Sequence, residues 1–177
     1  MFRMIGRFVE RVLNVARHRI FYSFEYNKDY WRAVQIRNMG KVSADFVFPD
    51  SDWKEVRVKT NAAIKEWIDE QIAMCDCVVV LIGSTTATRK WVLYEIEKAY
   101  ELKKGLVGIY VNKITDRVGY QTGKGKNPFE YVLTRTGEKL SDYVVCYDSP
   151  RLGSQSVCKD IAEKLEELVE SAVGDRG

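Results

Sequence analysis

Apolar and polar residues in this chain fall into two kinds of block: short unbroken apolar runs, and longer stretches in which apolar residues recur every three or four positions. The clearest unbroken run is Cys77 to Ile82, six apolar residues, three of them valine, held between Asp76 and Gly83. It is too short for a helix and has no polar side, so it predicts a strand buried on both faces, as in a parallel sheet. Gly83-Ser84-Thr85-Thr86 leaves that strand at its carboxyl end, and the helix that follows sets Trp91 and Glu95 four residues apart, hence on one side. In open α/β sheets such strand ends are where ligands bind.

The remaining blocks read in the same way. Met1, Ile5, Phe8, Val12 and Val15 recur at helical spacing with Arg3, Arg7 and Arg11 on another side, which predicts an amphipathic helix over residues 1–16. Those arginines interrupt every possible signal core or membrane span; the helix covers the sheet or a neighbouring subunit, rests on an anionic membrane surface, or is an unstructured leader. Arg19 to Phe24 favours a strand, and Asp29 is placed to cap a helix that carries Trp31, Val34 and Ile36 to a stop at Gly40. Val42 to Phe48 alternates and closes at Pro49-Asp50 as a second strand, with Trp53 in the next loop. Ile64, Trp67, Ile68 and Ile72 give a helix over Asn61 to Met74, and Val92, Ile96, Ala99 and Leu102 or Lys103 mark one that ends at Gly105, with Glu95 at the border of its stripe. Leu106 to Val111 and Tyr143 to Tyr147 read as strands four and five, separated by a long loop from Asp116 to Pro128, and Val157, Ile161, Leu165, Leu168 and Val169 form a closing helix.

Five strands alternating with helices imply a doubly wound parallel sheet, most simply in the order 2-1-3-4-5. Its switch point then falls between the first and third strands, bringing Ser23-Phe24-Glu25-Tyr26 beside Gly83 to Thr86. At 177 residues and 46% hydrophobic composition the chain fits one domain, over residues 17–174, preceded by the helical extension. A net charge of +3 is too slight to argue for a nucleic-acid surface. Cys75, Cys77, Cys146 and Cys158 make no C-x-x-C pair and read as free, mostly buried thiols of a reducing compartment, while a single histidine, His18, excludes a metal site built on several imidazoles.

Several chemistries drop out. A phosphoacceptor domain of this architecture needs an aspartate ending the third strand, where Leu81-Ile82-Gly83 stands, and a flavin site needs a hydroxyl- and glycine-rich first loop, where Glu25-Tyr-Asn-Lys-Asp29 stands. Gly119 to Lys126 has the composition of a P-loop but the wrong spacing, so it reads as a solvated loop or a lid near the crevice. Glu95 remains. Cleaving nicotinamide from NAD expels a neutral ring from a charged one, so no general acid is needed, and one carboxylate suffices to hold the ribose hydroxyls and face the oxocarbenium-like charge. Against this, Glu95 is equally placed to pair with Lys98 as a solvated helix residue. Phe24 and Trp91 suit either ring stacking or the core, Arg89 a phosphate or the loop, and Ser84 and Thr86 a ligand or a helix cap.

Phe21-Tyr-Ser-Phe24 with Trp91-Val-Leu-Tyr-Glu-Ile96 after Leu81-Ile-Gly-Ser-Thr85 resembles the Toll/interleukin-1 receptor (TIR) domain. Trp31-Arg32, Gln35-Ile-Arg-Asn38, Val80-Leu-Ile-Gly83 with Thr86, Arg89-Lys-Trp-Val92 and Asn127-Pro-Phe129 are similar, more narrowly, to the TIR-like subunit of the bacterial Thoeris antiphage system. The resemblance runs from about His18 to Asp148. It implies a flavodoxin-like three-layer fold and a cytoplasmic enzyme, triggered by phage infection, that takes NAD as substrate with no cofactor. Such an enzyme releases nicotinamide and makes a cyclic ADP-ribose isomer that activates a separate effector protein. By the same resemblance Glu95 is the catalytic glutamate, Phe24, Ser84 and Trp91 line the substrate, and Trp31, Arg37 and Asn38 match family positions near the pocket; Arg89 joins the substrate-binding set. Many TIR domains are self-associating adaptors, so a non-enzymatic interaction or nucleotide-binding module is the alternative. The extension over residues 1–16 and the insertion from Asp116 to Tyr131 depart from the family core.

Overall fold

The computed structural model describes residues 18–39, 56 and 58–175. The expected helix over residues 1–16, the expected strand Val42 to Phe48 and Trp53 lie outside the described residues. Four parallel strands are described, β1 (Ile20–Ser23), β2 (Cys77–Ile82), β3 (Gly105–Tyr110) and β4 (Cys146–Tyr147), adjacent in that order. They correspond to the first, third, fourth and fifth strands expected from the sequence. The fifth member of the proposed 2-1-3-4-5 order falls in residues not described.

The six-residue apolar run Cys77–Ile82 is an interior strand of the sheet. β2 pairs with β1 from Ile20↔Cys77 and with β3 from Cys77↔Gly105, and all six of its residues are buried. Strand alternation divides their side chains between two faces. Cys77, Val79 and Leu81 join Ile20, Tyr22, Val107 and Ile109 under α1 (Tyr26–Met39) and α4 (Ser154–Gly174). Val78, Val80 and Ile82 join Phe21 under α2 (Asn61–Met74) and α3 (Lys90–Glu101). The result is three layers with apolar cores on both sides, each fully buried Ile or Val contributing about 1.5–3 kcal/mol.

α2 forms over the span its periodicity predicts, with Ile64, Ile68 and Ile72 buried and the Thr60 hydroxyl accepting the Ala63 amide at its start. α4 likewise buries Val157, Ile161, Leu165 and Val169. All four cysteines are free, three of them buried. No helix among the described residues is long and apolar enough to cross a membrane.

Other expectations shift. α1 starts at Tyr26, because the Glu25 carbonyl already accepts the Asp29 amide at 2.8 Å; Asp29 therefore lies inside the first turn rather than capping it. α3 stops at Glu101, and Gly105 opens β3 instead of ending the helix. The reversal falls on Lys103 (φ 53°), which leaves Leu102 and Lys103 exposed rather than on the packing stripe. The last strand shrinks from the expected Tyr143 to Tyr147 to two residues, since a 3-10 helix at Leu140–Asp142 occupies the approach and leaves Tyr143 and Val145 more than half exposed.

Candidate functional site

Ser23 is the last residue of β1, and alternation turns it toward the face that α3 covers. There its hydroxyl donates to Glu95 Oε2 at 2.5 Å. Glu95 is only 5% exposed, so the solvated pairing with Lys98 does not form; Lys98 pairs instead with Asp69 and Glu101. Burial pushes the Glu95 carboxyl up to about 8, with the Ser23 hydrogen bond acting in the opposite sense. A carboxyl poised in this way at a sheet's ligand-binding edge is a functional-site candidate on physical grounds.

Two further carboxylates stand at the same edge, Glu25 and Asp29, neither of them expected from the sequence as a site residue. Glu25 Oε2 accepts from the Thr85 hydroxyl at 2.5 Å, and its Oε1 lies 3.2 Å from an Arg89 nitrogen. That guanidinium also reaches Thr85 Oγ1 at 3.3 Å, so β1 and β2 are tied together at their carboxyl ends. Asp29 is buried against Arg32 at 3.0 Å, and burial, the largest effect, raises its carboxyl above the usual range. The signal available beforehand was positional: acidic residues within six positions of a strand's carboxyl end, one helical turn apart.

Arg32 also fastens the long loop. Its Nε donates to the Ile114 carbonyl at 2.7 Å and a terminal nitrogen to the Tyr120 carbonyl at 3.0 Å. Lys124 closes the other end, 2.8 Å from Asp148 and 4.2 Å from the Tyr110 ring centre. Between them Gly125 lies so close to the Gly83 carbonyl that a β-carbon there would overlap it. The loop is thus a strap across the end of β2. Its Lys124 is neutralised by the Asp148 carboxylate, which disfavours a phosphate cradle around that lysine.

The expected site residues are only partly brought together. Glu95, Ser84 and Arg89 lie at the carboxyl edge, with Arg89 starting α3 and Ser84 in the turn after β2. Thr86 caps no helix: it opens the 3-10 turn Thr86–Thr88, and its buried Oγ1 accepts the Gly83 amide at 2.9 Å and donates to the Leu81 carbonyl at 3.4 Å. Trp91 stands one turn before Glu95, edge-on to Tyr94 with ring centres 6.1 Å apart and the Lys90 ammonium 4.6 Å above it. Phe24, one residue beyond Ser23, packs on the opposite face under α1 and α4 and stacks on Tyr26. Asn38 is exposed near the far end of α1. Among the described residues no group of three or more His, Cys, Asp or Glu is arranged to hold a metal.

Helices on both faces of a parallel sheet, with buried carboxyls gathered where β1 and β2 end, define a three-layer α/β domain with a cluster of buried polar groups at its carboxyl edge. The family described as Thoeris protein ThsB, TIR-like domain, matches residues 21–116, and the chain belongs to that family. A Bacillus cereus (strain MSX-D12) protein named "Putative cyclic ADP-D-ribose synthase ThsB1" is 36% identical over 119 residues, which are 64% of this chain and 62% of that relative. The chain therefore spans less than two thirds of the relative's length. The matched family region includes Glu95.

Proposed function

We propose that this domain cleaves NAD at the bond between nicotinamide and ribose, with Glu95 as the catalytic carboxylate. The observation that carries the reading is the buried Glu95 carboxyl held by Ser23 at the carboxyl end of β1. The name of the Bacillus cereus relative, a cyclic ADP-D-ribose synthase by its printed description, supports the substrate class.

With its carboxyl raised to about 8, Glu95 is largely protonated at neutral pH in the closed crevice. A neutral carboxyl does not stabilise a cation. The positively charged nicotinamide ring of NAD, placed beside it, favours the ionised form and lowers that value again. The carboxylate then accepts hydrogen bonds from the ribose hydroxyls and faces the charge that grows on the ribose as the C–N bond breaks. The bonding pair leaves with nicotinamide, which becomes neutral, so no proton donor is required. Water captures the ribosyl cation to give ADP-ribose, or a nitrogen of the same molecule's adenine captures it to give a cyclic ADP-ribose.

Ser23 holds Glu95 in place, Trp91 walls the crevice one turn before it, and Ser84 and Arg89 hold polar groups of the dinucleotide. Phe24 contributes only if the strand end turns, and Asn38 has no part in this geometry. The nucleotide product passes to a separate effector protein, and phage infection supplies the trigger for a self-associating enzyme of the cytoplasm. Incubating the full chain with NAD, with and without phage lysate, and measuring nicotinamide tests the reading; turnover by Glu95→Gln equal to the parent's would remove it.

A second reading, a non-enzymatic interaction module, draws on the same 5% exposure of Glu95, which a purely structural buried carboxyl would also show. Melting in the presence of ADP-ribose separates the two, because a ligand bound only by the folded state raises the transition by mass action. An upward shift that Arg89→Ala abolishes supports the enzyme; no shift, together with no turnover under any trigger, supports the module.

A further inference from the structure

The edge of the sheet opposite Glu95 carries a cleft of about 300 Å³, between the ends of α3 and α4, the start of β3 and the segment before β4. Its floor is aliphatic, with Leu106 and Leu168, and two tyrosines, Tyr100 and Tyr143, contribute its rings. Its charge comes from Lys103, Lys104 and Arg135 against a single carboxylate, Asp175. The Lys104 ammonium is occupied, 2.8 Å from the carbonyls of both Ala73 and Cys75. Among the described residues the heads of Lys103 and Arg135 have no hydrogen-bonded or ionic partner.

Lys103 stands there at a conformational cost. Its amide donates to the Tyr100 carbonyl at 3.1 Å and that of Lys104 to the Ala99 carbonyl at 2.8 Å, the paired bonds that close a helix through one left-handed residue. Glycine is the residue such a position favours, and a side chain with φ near 53° is strained. The fold does not need lysine there. What the lysine adds is an ammonium on the rim of the cleft.

We propose that this cleft is a second binding site, which takes a small organic anion made of a planar ring and one anionic end. The ring rests on the aliphatic floor against Tyr100 and Tyr143, and the anion meets Lys103 and Arg135. Two helix carboxyl ends nearby repel an anion, so Lys103 and Arg135 have to outweigh them. α3 carries Glu95 near its middle and Tyr100 in its last turn, so both sites act on one rigid element.

The test uses the full chain and 1-anilinonaphthalene-8-sulfonate, a fused ring bearing one sulfonate, titrated by fluorescence with amide shifts mapped by NMR. One equivalent is expected to bind, with shifts centred on Tyr100, Lys103, Leu106 and Arg135. Lys103→Gly is expected to weaken binding about fivefold while raising the melting temperature by about 3 °C, because it loses an ion pair and sheds strain. Arg135→Gln weakens binding by a similar factor with no change in melting. The uncharged N-phenyl-1-naphthylamine and the ringless decanoate each bind about fivefold more weakly than the sulfonate. Equal affinity in Lys103→Gly, equal affinity for either control, or shifts centred elsewhere would overturn the proposal.

Discussion

The two edges of this sheet are built on opposite principles. Eight polar or charged residues are buried among those described, Ser23, Glu25, Asp29, Arg32, Thr86, Glu95, Asn112 and Ser149, and all of them gather around the carboxyl edge. At the amino edge the interior is apolar, and the charged groups stay on the rim of an open cleft. Burying a carboxyl costs several kcal/mol of solvation unless partners replace the water, so a fold keeps such groups only where they do something other than stabilise it. The asymmetry sets the proposed chemistry and the open cleft on opposite sides of the sheet. It also predicts that substitutions at the two edges fail in different ways.

The largest expected effect is on turnover. Glu95→Gln keeps the shape and the Ser23 contact but cannot carry negative charge, and nicotinamide release should fall by about a hundredfold or more. Circular dichroism and melting on the same sample would show that the fold persists. Next comes Arg32→Ala, which strands the buried Asp29 carboxylate and frees the strap from α1. A loss of about 3 kcal/mol in urea unfolding is expected, far more than for any charged residue at the cleft.

Third, the raised Glu95 carboxyl fixes the sign of a pH effect. Its unfolded-state value is near the ordinary glutamate value of 4.5 and its folded value about 8, so between these the folded chain binds the extra proton. That contribution is complete below the lower value and is lost as pH climbs toward the upper one. Glu95→Gln should therefore melt about 10 °C above the parent at roughly pH 8.5 and match it at roughly pH 4.5. A parallel pair of melting curves across that range would contradict the assignment of the shift to this residue. In the free enzyme kcat/KM should rise over the same window as the carboxylate forms.

A smaller effect is expected of Ser23→Ala, which removes the donor while leaving Glu95 buried. Turnover should drop about tenfold and its pH profile move to higher pH, because the charged carboxylate has lost a hydrogen bond. The smallest is Asn38→Ala. Exposed at the far end of α1, it should change neither kcat nor KM by more than about twofold.

The layers of the fold were legible because burial on two faces and on one face leave different patterns. Cys77 to Ile82 has no polar position at all, and Ile64, Ile68 and Ile72 repeat at four, so strand and helix could each be read from spacing. The carboxyl edge was legible as a place. Its wiring was not, because it depends on pairs 60 to 88 residues apart, such as Thr85 with Glu25 and Arg32 with the Tyr120 carbonyl, and no local pattern encodes these. Phe24, which the resemblance assigned to the substrate, follows Ser23 on the chain, and alternation sends the two side chains to opposite faces. The contraction of β4 has the same origin: Tyr143 to Tyr147 has strand propensity, but a strand needs a neighbour along its length, and the turn at Leu140–Asp142 removes it.

One consequence follows from the contact between Gly125 and the Gly83 carbonyl. The two backbones meet with no allowance for a single methyl group, so position 125 tells whether a given member of the family wears its loop in this manner. A relative bearing alanine or anything bulkier at that point must route the crossing elsewhere and leave the mouth above β2 with a different outline.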